Sequence, residues 1–289
     1  LAQAGIEGGR VEAAGAIAPG DLPQIVNPGR TDLSRYGEAG AEPEAPRPSE
    51  DLSEAPEAAA PPPALEAFAM PFDASEARAL MAVILIDEPD PRLDLETLTS
   101  IDFPVAFAID PARPDAADRA AAYRAAGFEV LMLGSVIPEG ATAADTEVAL
   151  AAARRRVPEA IALMDTPDSR IQTDRTVLEA AVGIAAGEGQ GLVAFPRGLN
   201  VAEHMAARAD VPAATLFRLL DDEGQRATVI ARFLSRAEFA AAQEGAVIVA
   251  GRTRPATVTA LFSWALAERD AGVVIAPVSA VLQRLSGAE

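Results

Sequence analysis

The sequence predicts an α/β protein, a (β/α) barrel of seven to eight parallel strands, with a disordered or extended acidic Pro/Ala-rich region before it. Three observations carry the prediction. Short, continuous apolar runs recur between residues 79 and 289. Ala-rich stripes with helical spacing lie between them. The composition changes near residue 78, dividing the chain into a linker or tail, 1–78, and a core, 79–289.

The first region holds 11 of the 23 prolines, with 14 acids and 5 arginines. From Glu38 to Pro63 it reads EAGAEPEAPRPSEDLSEAPEAAAPPP, almost without large apolar residues, so burial cannot offset the entropy of ordering it. Its polyproline character makes it an extended spacer to an anchor or partner, or else a passive tail. Leu22, Ile25 and Val26 give a weak sign of a short docked segment.

About 210 residues remain, enough for one sizeable core. The apolar runs are Met81–Ile86, Val105–Ile109, Val130–Leu133, Ala160–Met164, Gly191–Phe195, Ala213–Leu219, Ala246–Ala250 and Val273–Ala276. Continuous rather than alternating apolar character suits strands buried on both faces. Val258, Leu261, Phe262, Ala265 and Leu266 form a helical stripe behind Pro255, a residue that suits a helix's first turn. Val177, Leu178, Ala181 and Ile184 form a second, with Thr173 as the expected N-cap. Ile230, Phe233, Leu234 and Ala237 form a third. Such alternation means a parallel sheet with right-handed crossovers. No strand is followed by G-x-G-x-x-G or G-K-[ST]; the first ends LIDEPD, which removes the commonest motive for an open nucleotide-binding sheet.

Composition excludes several chemistries. Without cysteine there are no disulfides, thiolate metal sites or cysteine nucleophiles. A single histidine excludes sites that need two imidazoles from one chain, and only His204 could be the base of a Ser-His-Asp triad. All 24 basic side chains are arginine, and the net charge of −19 argues against nucleic acid and anionic membrane surfaces as partners. No apolar run approaches the roughly 20 residues of a membrane span. The first residue is Leu1 rather than Met, which leaves room for a removed upstream signal or anchor and decides nothing about compartment.

In a parallel barrel the functional groups sit at the C-terminal ends of the strands. Here those ends carry Asp87-Glu88, Asp110-Pro111, Gly134-Ser135, Asp165, Pro196-Arg197, Asp221-Asp222, Gly251-Arg252 and Pro277 with Ser279. An acid after a strand is also the usual helix cap or turn residue. Asp87-Glu88 stands out, because two adjacent charges close a buried strand and must be solvated, paired or bound to a cation. His204 reads as a half-buried packing residue of a helix, Trp264 as core or rim packing, and Arg154–Arg156 as a solvated helix C-terminus.

These motifs, in order, resemble the divergent polysaccharide deacetylase family over residues 79–286. MAVILIDEPD stands where the family ends its first strand in Ile-Asp-Asp. FPVAFAIDP, AGFEVLM, DSRIQTD, GRTRPATVTAL and VVIAPVSAVL follow in the family's order. The resemblance implies a seven-stranded (β/α) barrel, export to the periplasm or cell envelope, and a polysaccharide or peptidoglycan-like glycan, or an envelope protein, as partner. In active relatives an acid and two histidines hold a divalent metal that activates water beside an Asp base. Asp87 matches that base and Glu88 the metal acid, so these two are the candidate catalytic residues. The histidine positions fall on Thr166, on Arg252 and near Leu133, and the family's Asp before the strand-five arginine falls on Phe195. Ser169, Arg170, Arg197, Gly251, Arg254, Pro255 and Thr257 are retained. Asp110, Asp165, Ser169, Arg170, Arg197 and Arg252 are therefore the candidate substrate-binding residues, and no metal or other cofactor is expected.

The functional expectation is a deacetylase-like protein of carbohydrate metabolism with a degenerate metal site, binding glycan or a partner at the cell envelope. The alternative is an active polysaccharide hydrolase. It would be either a deacetylase with an oxygen-ligand metal site from Asp87, Glu88, Asp110 and Asp165, or a two-carboxylate glycosidase. A third possibility is a structural module of an envelope complex in which the acidic linker matters most.

Overall fold

The computed structural model describes residues 62–73, 79–198, 200–266 and 272–287. The linker segment from Glu38 to residue 61 and the Leu22–Val26 segment lie outside the described residues. A compact unit runs from Ala58 to Glu289. Within it β1 is Ala79–Ile86, β2 Ala106–Ile109, β3 Glu129–Leu133, β4 Ala160–Met164 and β5 Gly191–Ala194. Then come β6, Ala213–Thr215, β7, Arg218–Leu219, β8, Ala246–Arg252, and β9, Val273–Ile275. The helices are α1 Ala64–Ala67, α2 Leu95–Thr99, α3 Ala116–Ala125, α4 Ala143–Arg154 and α5 Arg175–Glu188. They continue with α6 Val201–Ala207, α7 Ala227–Glu244, α8 Pro255–Ala265 and α9 Val278–Ser286. All eight apolar runs are strands, and the three helical stripes are α8, α5 and α7. The cap of α5 is Asp174, which accepts from the Thr176 and Val177 amides, rather than Thr173.

Every strand pairing is parallel, in the order β6-β5-β4-β3-β2-β1-β8-β7. On one side β1 is flanked by β8; on the other, β9 lies beside Ala79–Met81 and β2 beside Ile84–Ile86. The two ends of the sheet come from one stretch of chain. Leu216 donates its amide to Ala194 of β5, and the next residue, Phe217, donates to Ile248 next to β7, both at 2.8 Å. The predicted run 213–219 is thus split into two short strands, and the sheet curls into a barrel.

Residue parity sorts the strands into two apolar layers, as period-two geometry requires. Leu80, Ala82, Ile84 and Ile86 point inward with Leu131, Ile161, Val193 and Ile248. Met81, Val83 and Leu85 point outward beneath the helices with Phe107, Met132 and Leu163. Phe107 stacks on Tyr123 of α3 at 3.7 Å between centroids, with Phe128 edge-on. Val278, Val281 and Leu282 of α9, with Leu65 of α1, close the interior. Each large side chain so buried stabilises by about 1.5–3 kcal/mol. Among the described residues no helix is long and apolar enough to cross a membrane.

Residues 62–73, assigned to the tail by composition, pack against this barrel. Leu65 is buried and its amide donates to Gly189. Arg124 donates to the Phe68 carbonyl at 2.9 Å. Glu129, fully buried at the start of β3, accepts from the Met70 amide at 2.9 Å and from the amide and hydroxyl of Ser279. Burial raises its pKa above the ordinary glutamate range, although these three donors oppose the shift. The composition of 62–73 hides this docking, because only a few apolar residues carry it.

Candidate functional site

The C-terminal ends of the strands deliver the predicted residues to one end of the barrel, but parity sends them to different layers. Asp87 follows inward-facing Ile86 and turns outward. Its carboxylate pairs with the Arg119 guanidinium, accepts the Tyr123 hydroxyl at 3.1 Å and lies 3.7 Å from Arg113. The Asp87 side chain has no solvent exposure. Burial, with the charge of Asp87 beside it, pushes the Tyr123 hydroxyl well above the usual phenol range. Asp165 also turns to the outer side. It is fully buried and accepts from the Thr166 and Ile171 amides and the Gln172 side chain. Burial raises its pKa, and its hydrogen bonds fix the loop that carries Ser169 and Arg170.

Glu88 and Arg252 belong to the inner parity and meet there. Arg252 Nε lies 2.9 Å from Glu88, and its NH1 3.1 Å from the buried carboxylate of Asp221. Arg254 holds the other Glu88 oxygen at 2.9 Å. Thr253 ties the Glu88 backbone, donating its hydroxyl to the carbonyl at 2.6 Å and accepting the amide at 2.9 Å. Asp221 accepts the Arg252 amide and the Thr257 hydroxyl, so β8 and the start of α8 are locked together. Asp110 accepts the Ser135 hydroxyl at 2.5 Å and the Ala112 amide, and stays partly exposed.

Ser169 is buried, with a left-handed backbone at φ 59°. Arg170 pairs with Asp168 and donates to the Ile137 carbonyl. Arg197 is exposed and reaches Thr173 at 3.3 Å. A cavity of about 340 Å³ opens beside Ser169, Pro196, Phe217 and Asp222. His204 is exposed on α6, not half-buried, and Trp264 is core packing.

Of the predicted set, then, Glu88 and Arg252 make one network, Ser169 borders the cavity, and Asp87 and Asp165 sit in the outer layer. A two-carboxylate arrangement retains only Glu88 and Asp110 as partly exposed acids. Arg113, Arg119 and Tyr123 were not anticipated as partners of Asp87; the i, i+4 spacing of Arg119 and Tyr123 on α3 was the available signal. Both oxygens of Glu88 face guanidinium groups, and Thr166 and Arg252 supply no imidazole. Among the described residues no group of three or more His, Asp or Glu side chains is placed to hold a metal ion.

An uncharacterized protein of Agrobacterium tumefaciens C58 has a similar structure, with a TM-score of 0.64 at 18% identity over 75% of this chain and 94% of that one. A putative cellobiose-phosphate cleavage protein of Enterococcus faecalis V583 aligns with a TM-score of 0.49 at 10% identity, over 72% and 99% of the two chains. The catalytic domain of a peptidoglycan N-acetylglucosamine deacetylase from Eubacterium rectale ATCC 33656 aligns with a TM-score of 0.42 at 12% identity, over 71% and 94%. These likenesses concern the fold alone. No curated protein sequence matches the chain. The divergent polysaccharide deacetylase model matches residues 84–282, which span the barrel from β1 to α9. By that match the chain belongs to the divergent polysaccharide deacetylase family.

Proposed function

We propose that this protein binds glycan at the cell envelope on a deacetylase barrel whose metal site has been replaced by an arginine–carboxylate network. One observation carries the reading. Arg252, at the position matched to a metal-binding histidine, stands 2.9 Å from Glu88, at the position matched to the metal acid. The donor set does not fit a resident divalent metal: a fixed guanidinium repels a cation and neutralises the carboxylate that would bind it. A rim of guanidinium, carboxylate and hydroxyl groups suits sugar hydroxyls, which donate and accept at once. Glu88, Asp110, Ser169, Arg197 and Arg252 remain the candidate glycan contacts. Asp87 and Asp165, candidates from the sequence, act as supports of the rim.

The test uses the whole chain with N-acetylglucosamine oligomers and Zn²⁺ supplied. Calorimetric binding without acetate release, and without metal retained after dialysis, is the expected result. One equivalent of Zn²⁺ together with acetate release would overturn the proposal.

A further inference from the structure

The cavity of about 340 Å³ is large enough for a small ligand, since such clefts run from about 300 to 1,000 Å³. Its apolar surface comes from Phe195, Phe217, Leu219 and two prolines, and its polar surface from Asp222, Glu223, Ser169, Gln225 and Arg218. Ser169 is only 8% exposed, and among the described residues nothing hydrogen-bonds its hydroxyl. Its backbone is held in a left-handed conformation by its amide on Thr166 and by the Thr173 hydroxyl on its carbonyl, each at 2.7 Å. Ser169 thus lines the cavity with a hydroxyl that no described residue answers, which leaves it open to a polar group of a ligand.

Of the nearby cations, Arg218 is in the cavity wall with its guanidinium stacked on Phe233 at 3.8 Å, and Arg252 serves Glu88 and Asp221. Among the described residues Asp222 reaches only the far nitrogen of Arg252, at 3.9 Å, and its side chain is 66% exposed. Among the described residues the Glu223 carboxylate meets only the Gln225 amide, at 3.4 Å. Two carboxylates at the cavity wall therefore keep their capacity for a further cationic donor.

We propose that this cavity takes a cationic amino-sugar unit, a pyranose with a free ammonium group, in preference to its neutral N-acetylated form. The inference rests on the glycan reading above and names its ligand class. The sugar's C–H face lies on Phe195 and Phe217, the ammonium meets Asp222 and Glu223, and a hydroxyl satisfies Ser169.

Calorimetry on the whole chain at about pH 6 and low salt compares a glucosamine trimer with an N-acetylglucosamine trimer. The cationic trimer is expected to bind about tenfold more tightly or better. Asp222→Asn with Glu223→Gln brings the ratio near one. Glu147→Gln with Glu244→Gln, the same charge change elsewhere, preserves it. Ser169→Gly, which relieves the backbone, weakens both trimers. Thermal unfolding of each variant verifies that it folds. A neutral trimer bound as tightly as the cationic one, or a ratio lowered equally by the control pair, overturns this inference and leaves glycan binding standing. Failure of both trimers to bind overturns both.

Discussion

Arg252 Nε and the Glu88 carboxylate stand 2.9 Å apart where the ends of β8 and β1 lie side by side. The same guanidinium serves Asp221, whose side chain is 2% exposed, whereas that of Glu88 is 40% exposed. The two acids therefore depend on Arg252 unequally. Replacing Arg252 by Met strands a buried charge and is expected to cost about 3–5 kcal/mol. Glu88→Gln leaves the Arg252–Asp221 pair in place and should cost about 1 kcal/mol or less. Urea denaturation of the two variants measures this; equal losses would show that the network is not anchored on Asp221.

Asp87 lies in the outer layer with Arg119, Tyr123 and Arg113. Asp87→Asn removes the charge that balances these arginines, and a stability loss of about 3–5 kcal/mol is expected. Glycan affinity of the folded fraction should stay within about twofold of wild type, since no atom of the rim network changes. A folded, stable Asp87→Asn protein that has lost glycan binding would place Asp87 in the site instead.

Glu129 and Asp165 have pKa values raised by burial, so each makes the folded state bind protons more readily than the unfolded chain. Their contribution is fully present below the unfolded carboxylate pKa values, near about 4, and is lost as pH rises through the folded values. Unfolding free energy measured at a series of pH values should therefore fall over that window. Glu129→Gln should flatten the decline. Parallel curves for wild type and variant would show that Glu129 does not drive it.

Gly189 has φ +63°, and a Cβ added there would stand 2.5 Å from the Pro63 backbone. Gly189→Ala cannot be absorbed by a side-chain rotation, so the 62–73 segment must shift. A loss of about 1–3 kcal/mol is expected, as for overpacked sites, with faster proteolysis near residues 62–73. Unchanged cleavage kinetics would show that this segment tolerates displacement.

A resident metal adds stability by mass action, about 2.7 kcal/mol when present at a hundred times its dissociation constant. With Arg252 beside Glu88, neither chelation nor added Zn²⁺ should move the thermal midpoint by more than about 1 °C. A Zn²⁺-dependent rise of several degrees would contradict the network's role.

The strands were legible because burial on both faces leaves continuous apolar runs, and the same property hid their orientation. ALMAVILI is apolar at every position, so nothing in it shows which parity faces the barrel interior. Which of Asp87 and Glu88 faces the interior was hidden for that reason, and the register with β8 separates them. The break between β6 and β7 was invisible because Leu216 and Phe217 continue the apolar run across it. Ser169 was reached through family resemblance, but its positive φ and unanswered hydroxyl follow from the fold of its loop. Glu223 and Gln225 carried no signal, lying in an ordinary polar turn beyond β7.

The seam at Leu216 and Phe217 also sets an order of events. The first strand of the barrel cannot gain its β8 neighbour until nearly the whole chain has been synthesised, and the joint at 216–217 needs β5 and β8 already in place. Contacts of such long range form late, after the entropy of many loops has been spent. A ring closed through two such short strands is expected to complete its assembly late, and fraying should begin there rather than at the well-flanked β1.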